Sequence, residues 1–256
     1  MGDAFYRFVR FVGRPVFWLS AMPVVLGVEH VPRAAGRRTG PDCPGSAGAC
    51  ILASTHESAY DVALLIAHTP RLLDFVSIVE VFRNPILAWF YGSLNAFPLD
   101  RTRPDSKTVR IILGRLSRGR MVGMFPEGGL RSGDESVVST RRIRPGIGRI
   151  AALSRSCVVP CVIVDSAAYR RPRSWLPLFR SRYGIIYGEP LRPEVLGDRL
   201  EAALVEALVA LHTTLLAAMD RTGMGLKPAE PSPRTPATPG GSGSASAAAG
   251  PRPARR

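Results

Sequence analysis

A histidine and a carboxylate stand five residues apart in His56-Glu57-Ser58-Ala59-Tyr60-Asp61, where one apolar run (Cys50-Ile51-Leu52-Ala53) gives way to another (Val62 to Ala67). On a continuous helix five residues turn through about 500°, which would leave the two side chains well apart around the axis. A turn between a strand end and a helix start lets them meet. Asp61 can then hold one ring nitrogen of His56 and leave the other free as a general base. Two clusters downstream offer the complementary chemistry. Phe97-Pro98-Leu99-Asp100-Arg101 ends in a guanidinium, which grips phosphate oxygens in a bidentate fork. Phe125-Pro126-Glu127-Gly128-Gly129 closes an apolar run with a carboxylate and two glycines, and Arg131 lies just beyond. Glycines there permit close backbone approach and expose N–H groups to an anion.

The elements that must position these residues alternate. Residues 50–54 read as a buried strand and 61–68 as the helix after it. Asp105 or Ser106 can cap a helix whose apolar face is Val109, Ile112, Leu113 and Leu116. Met121 to Phe125 is a short strand stopped by Pro126. Pro145 fits the first turn of a helix carrying Ile147, Ile150 and Ala151. Val158–Val164 and Tyr183–Tyr187 are further strands, and a long amphipathic helix runs from about Pro193 to Met219. This alternation predicts an α/β fold. Residues 1–28 are expected as an N-terminal helical segment lying in a membrane interface, 29–224 as the folded domain, and 225–256 as a disordered Pro-, Ala-, Gly-, Ser- and Arg-rich tail too poor in apolar residues to order itself.

The 256 residues suit one α/β domain plus that tail, and 46% apolar content makes the body globular. The formal charge of +14 is almost all arginine, since Lys107 and Lys227 are the two lysines; such a balance implies anionic partners. Cys43, Cys50, Cys157 and Cys161 show no metal-ligand spacing, and Cys157 and Cys161 read as buried free thiols in a reduced, cytosolic environment. The arginines of the first turns are not followed by a clean cleavage pattern, so no secretory signal is expected. Phe5, Phe8 and Val12 share a helical face apart from Arg7, Arg10 and Arg14, a pattern suited to a helix lying in a membrane interface.

Taken in order, His-x4-Asp, Phe-Pro-Leu-Asp-Arg, Phe-Pro-Glu-Gly and Val159-Pro160 resemble the glycerolipid acyltransferase family, typified by 1-acylglycerol-3-phosphate acyltransferases. Gly27-Val28-Glu29-His30-Val31-Pro32 and Arg144-Pro145-Gly146-Ile147-Gly148-Arg149-Ile150-Ala151 also look like that family, so the resemblance runs from about Gly27 to Pro190. It departs from the usual pattern in Thr55, where the family has Asn, in Asn95, where it has Gly, and in a motif arginine moved one position along to Arg131. Asn95 would suit a left-handed backbone. The resemblance implies a mixed β-sheet flanked by helices, of the glycerol-3-phosphate acyltransferase type. It implies a peripheral membrane enzyme on the cytoplasmic face that moves a fatty acyl group from acyl-CoA or acyl-carrier protein to lysophosphatidate, giving phosphatidate. His56 and Asp61 would be catalytic, and Arg101, Glu127, Gly128 and Arg131 would bind the glycerol phosphate. No metal, cofactor or nucleic acid is expected.

Other readings remain open at this level. The acceptor could be glycerol 3-phosphate or an amino-acid-based lysolipid. A non-catalytic basic protein could bind membranes or nucleic acid through Arg170, Arg171, Arg173, Arg180 and Arg182, which surround Trp175 and Phe179. Gly146-x-Gly148-x-x-Ala151 opens a helix in the manner of a dinucleotide-binding turn, but no buried strand precedes it. His30, His68 and His212 have no acidic or cysteine partner at ligand spacing and read as core or solvated histidines.

Overall fold

Two runs are buried along their whole length, Cys50–Ser54 (β2) and Cys157–Val164 (β6). Strands with no polar face belong where both sides of a sheet are covered. In a computed structural model, which describes residues 2–32, 48–78, 89, 92–99, 106–171, 174, 176 and 181–221, they sit side by side near the middle of a seven-stranded sheet. The other strands are Ala21–Leu26 (β1), Leu73–Ile78 (β3), Phe97–Leu99 (β4), Met121–Met124 (β5) and Ser181–Tyr187 (β7). The order is β1-β7-β6-β2-β5-β3-β4. From β6 to β4 every pairing is parallel; β7 runs antiparallel to β6, and β1 runs parallel to β7. The expected mixed sheet with flanking helices is therefore what forms.

Alternation along β2 divides the core. Cys50 and Leu52 face one layer, where Gly2–Ser20 (α1) contributes Tyr6 and Phe17 and Asp61–His68 (α2) contributes Leu64 and Leu65. Ile51 and Ala53 face the other, against Ile112 and Leu116 of Ser106–Leu116 (α3), Val137 of Val137–Thr140 (α4) and Ile150 of Ile147–Ser154 (α5). Leu204, Leu208 and Leu215 of the last helix fill the same layer. By length and composition Pro193–Arg221 could cross a membrane, but those leucines are fully buried beneath β6 and β7.

The elements differ from the sequence reading at several points. The N-terminal segment is helical only to Ser20, and Ala21–Leu26 is an edge strand of the sheet. The C-terminal helix is interrupted: Pro193–Leu196 (α6) ends at Gly197, whose backbone (φ 51°, ψ −128°) leaves the helical region before Leu200–Arg221 (α7) begins. Pro145 precedes α5, which starts at Ile147 behind Gly146. Asn95 adopts φ 62°, as its place in the pattern suggested, and its amide donates to Asp3 (3.0 Å). Cys50 and Cys161 are free and buried, whereas Cys157, expected as a free thiol, is disulfide-bonded. The tail expected over 225–256 lies outside the described residues.

A buried carboxylate fastens α1 to this frame. Asp74 on β3 accepts two 2.6 Å hydrogen bonds from Arg120 and a third, at 3.1 Å, from Arg115; Arg120 also reaches Asp3 of α1. With every charge paired, the desolvation cost of burying Asp74 is offset.

Candidate active site

The site lies at the carboxyl ends of the central parallel strands, the usual place for a ligand crevice in an open α/β sheet. β2 ends at Ser54, β5 at Met124 and β6 at Val164, so the turns that follow them converge. Thr55 continues the sheet, with its N–H donating to Cys161 O (3.1 Å) and its hydroxyl oxygen accepting from Ile163 N (2.9 Å). His56 follows as the first residue of the turn.

His56 and Asp61 meet as their spacing suggested. The His56 Nδ1–H donates to Asp61 Oδ2 at 2.9 Å. The same carboxylate, fully buried at the start of α2, accepts from Ser58 N (3.0 Å) and is approached by the Ser58 hydroxyl (3.5 Å). That hydroxyl also meets Ser166 Oγ at 2.9 Å, tying the turn to the segment after β6. A carboxylate accepts but cannot donate, so it selects the tautomer with the proton on Nδ1 and leaves the Nε2 lone pair available. The imidazole lies flat on Phe125 (centroids 3.8 Å apart, 12° between planes), and Phe75 stacks behind Phe125 at 6.4 Å. Gly123 makes that stack possible, because a Cβ there would come within 2.8 Å of the Phe75 ring.

The Phe-Pro-Glu-Gly segment grips the backbone of His56 from the other side. Glu127 accepts from His56 N with Oε2 (2.9 Å) and from Val137 N with Oε1 (2.7 Å). Arg131 N donates to His56 O at 2.8 Å. Both carboxylate oxygens of Glu127 are thus taken by backbone amides, which gives it a bracing contact that spacing alone did not reveal. Burial raises its pKa, partly offset by those two amides. The Arg131 guanidinium points elsewhere, to Glu135 (2.8 Å), in a pair exposed on both sides. Gly128 has φ +71°, a conformation that favours glycine. Arg101 lies outside the described residues.

Glu57, between the histidine and the turn, is surrounded by like charge. Burial first, then Asp61, Asp165 and Glu127, push its pKa from an ordinary 4.5 to about 8, against the opposing effect of the Asp165 amide. A carboxyl whose folded-state pKa is raised binds a proton in the folded state that it lacks unfolded, so its contribution to stability is present at low pH and lost between 4.5 and 8. Glu57→Gln removes this loss. Its Tm is expected to match wild type near pH 4 and exceed it increasingly up to pH 8; a difference constant with pH would count against the arrangement.

The remaining motifs acquire plain explanations. Gly146 N and Gly148 N, the amides of the dinucleotide-like turn, both donate to Glu201 Oε1 (2.8 and 3.0 Å), so a carboxylate from α7 holds the place a pyrophosphate would take. His68 Nε2 meets Tyr183 Oη at 2.6 Å, and burial with Arg14 and Arg10 nearby lowers its pKa to about 4. His30 Nδ1 meets Tyr187 O at 3.0 Å. Arg173, Trp175, Phe179 and Arg180 of the basic cluster lie outside the described residues.

Residues 24–164, more than half of the chain, match the family model described as Acyltransferase. A 1-acyl-sn-glycerol-3-phosphate acyltransferase of Bacillus subtilis is 29% identical over 199 residues, 75% of this chain and 92% of that protein. One from Streptococcus pneumoniae is 26% identical over 144 residues, 55% of this chain and 49% of that protein. The crystal structure of the 1-acyl-sn-glycerophosphate acyltransferase of Thermotoga maritima shares the fold, with a TM-score of 0.59 at 19% identity over 83% of this chain and 79% of that one.

Proposed function

The chain belongs to the acyltransferase family, and from that premise we propose that it acylates lysophosphatidate to phosphatidate, drawing the acyl group from the thioester of acyl-CoA or acyl-carrier protein. The 2.9 Å contact between His56 Nδ1 and the buried Asp61 carboxylate carries this reading. His56 Nε2 takes the proton of the acceptor hydroxyl as that oxygen attacks the thioester carbonyl. Asp61 keeps the proton on Nδ1 and stabilises the imidazolium. When the tetrahedral intermediate collapses, the C–S bond breaks and the imidazolium returns its proton to the departing thiolate. Such general-base assistance is typically worth about 10²–10⁴-fold in rate. Arg101 and the Gly128 backbone bind the glycerol phosphate, with Arg131 close by, while Glu127 acts by fixing the His56 backbone. The transfer is direct, with no acyl-enzyme.

The domain acts at the cytoplasmic face of the cell membrane. Along α1, Phe8, Phe11, Val12, Trp18 and Leu19 are exposed, with Phe11 79% accessible, while Tyr6 and Phe17 fill the core. Arg7, Arg10 and Arg14 join Phe11, Pro15 and Trp18 around a groove on the same helix. An apolar face bordered by guanidiniums suits an interface of anionic headgroups.

Purified protein given radiolabelled acyl-CoA and vesicles carrying lysophosphatidate, glycerol 3-phosphate or an amino-acid lysolipid tests both parts together. Label should enter phosphatidate first, and the protein should sediment with anionic vesicles. Label entering another acceptor, or none, would overturn the reading.

A further inference from the structure

Beside the His56 turn, on the α3–α5 side of the sheet, lies a cleft of about 590 Å³ walled by Val76, Val109, Met124, Ile147, Ile150 and Leu153. Phe125, Pro126 and Gly128, residues of the segment that braces His56, also line it. Three guanidiniums line it, from Arg110, Arg144 and Arg149. None of the three makes an ion pair or side-chain hydrogen bond with a described residue. Positive charge gathered in a concave wall, with no acid of its own to meet, is a place for a ligand anion.

Arg144 is tied to the segment that braces His56. Its backbone N–H donates to Pro126 O at 2.7 Å, and its guanidinium occupies the space that a Cβ on residue 128 would fill. It is therefore fixed by main chain and side chain to the residues on either side of Glu127, whose carboxylate holds His56 N. In lysophosphatidate only two carbons and an ester oxygen separate the reacting hydroxyl from phosphorus, so the phosphate must sit close to the imidazole. Arg131, the arginine suggested by the motif, is engaged by Glu135 on an exposed surface.

We propose that Arg144, seated over Gly128 in the wall of this cleft, is a further guanidinium that binds the acceptor phosphate alongside Arg101. The assignment rests on the lysophosphatidate reading above. A charge-assisted, bidentate contact of this kind is among the stronger hydrogen-bonding arrangements and is specific for planar or tetrahedral oxyanions.

The test is two-substrate kinetics on the full chain for wild type, Arg144→Ala and Arg144→Lys, with thermal unfolding alongside. Arg144→Ala is expected to raise the lysophosphatidate KM about tenfold to a hundredfold, with kcat and the acyl-CoA KM within about threefold of wild type. Arg144→Lys should fall between. With monoacylglycerol, which lacks the phosphate, wild type and Arg144→Ala should be alike. An unchanged acceptor KM in active protein, a rise in the donor KM instead, or equal losses with both acceptors would each overturn the assignment. If Arg144→Ala fails to fold, the Arg144→Lys variant decides by the same comparison. Wild type inactive toward lysophosphatidate would overturn the functional reading and this assignment together.

Discussion

Replacing His56 by alanine is expected to lower kcat by about 10²–10⁴-fold while the protein stays folded. The expectation separates two kinds of contact that His56 makes. Its backbone N and O carry the structural links, to Glu127 and to Arg131 N, and alanine keeps both. Its ring carries the chemistry: Nδ1 is committed to Asp61, and Nε2 is left to remove a proton. Alanine also forfeits the stacking against Phe125, a loss of about 0.5–1.5 kcal/mol that a folded domain tolerates. Thiol release from acyl-CoA in the presence of lysophosphatidate measures the effect, with circular dichroism as the folding control. Full activity in the folded variant would mean that His56 is not the base, whereas no thiol release from wild type would place the protein with the non-catalytic basic binders.

Asp61→Asn should be nearly as damaging, for a different reason. Asparagine has the same shape, but Asp61 Oδ2 accepts from both His56 Nδ1 (2.9 Å) and Ser58 N (3.0 Å), so the amide must set either its oxygen or its NH₂ group against both. With the NH₂ group in that place, it can only donate to Nδ1, and the Ser58 N–H loses its acceptor. That puts the imidazole proton on Nε2, the nitrogen required as base; with the oxygen there instead, the tautomer survives but the negative charge that stabilises the imidazolium is gone. Losses of about 10⁴-fold accompany the corresponding change in a serine-protease triad, and a loss within the same range of about 10²–10⁴-fold as for His56→Ala is expected in kcat here, with little change in either KM. Asp61→Ala is the structural control: it strands the buried Ser58 N–H, at a cost of about 1–3 kcal/mol in stability. Equal kcat values for Asp61→Asn and wild type would mean that the carboxylate does not set the tautomer.

Much of this was legible in the sequence because it is local. Residues 50–54 and 61–68 form the strand and helix their apolar runs indicate, and the five-residue spacing of His56 and Asp61 works through the turn between them. The N-terminal strand was missed because Pro23 reads as an interruption, yet an edge strand tolerates proline where no ladder hydrogen bond is needed. Gly197 was read through for a similar reason: a heptad-like leucine pattern continues past it, and only its backbone conformation shows the break. The bracing role of Glu127 was invisible because its partner His56 N lies 71 residues away. Arg144 had the same disadvantage. Its significance comes from contact with Gly128, a closeness no spacing rule encodes.

A crystal structure of the protein with lysophosphatidate bound tests the central claim most directly. The sn-2 hydroxyl should lie within about 2.6–3.2 Å of His56 Nε2, the reach of a general base, with Nδ1 still on Asp61. An acceptor hydroxyl bound out of reach of that nitrogen, or an imidazole turned away from Asp61 to accommodate it, would contradict the account.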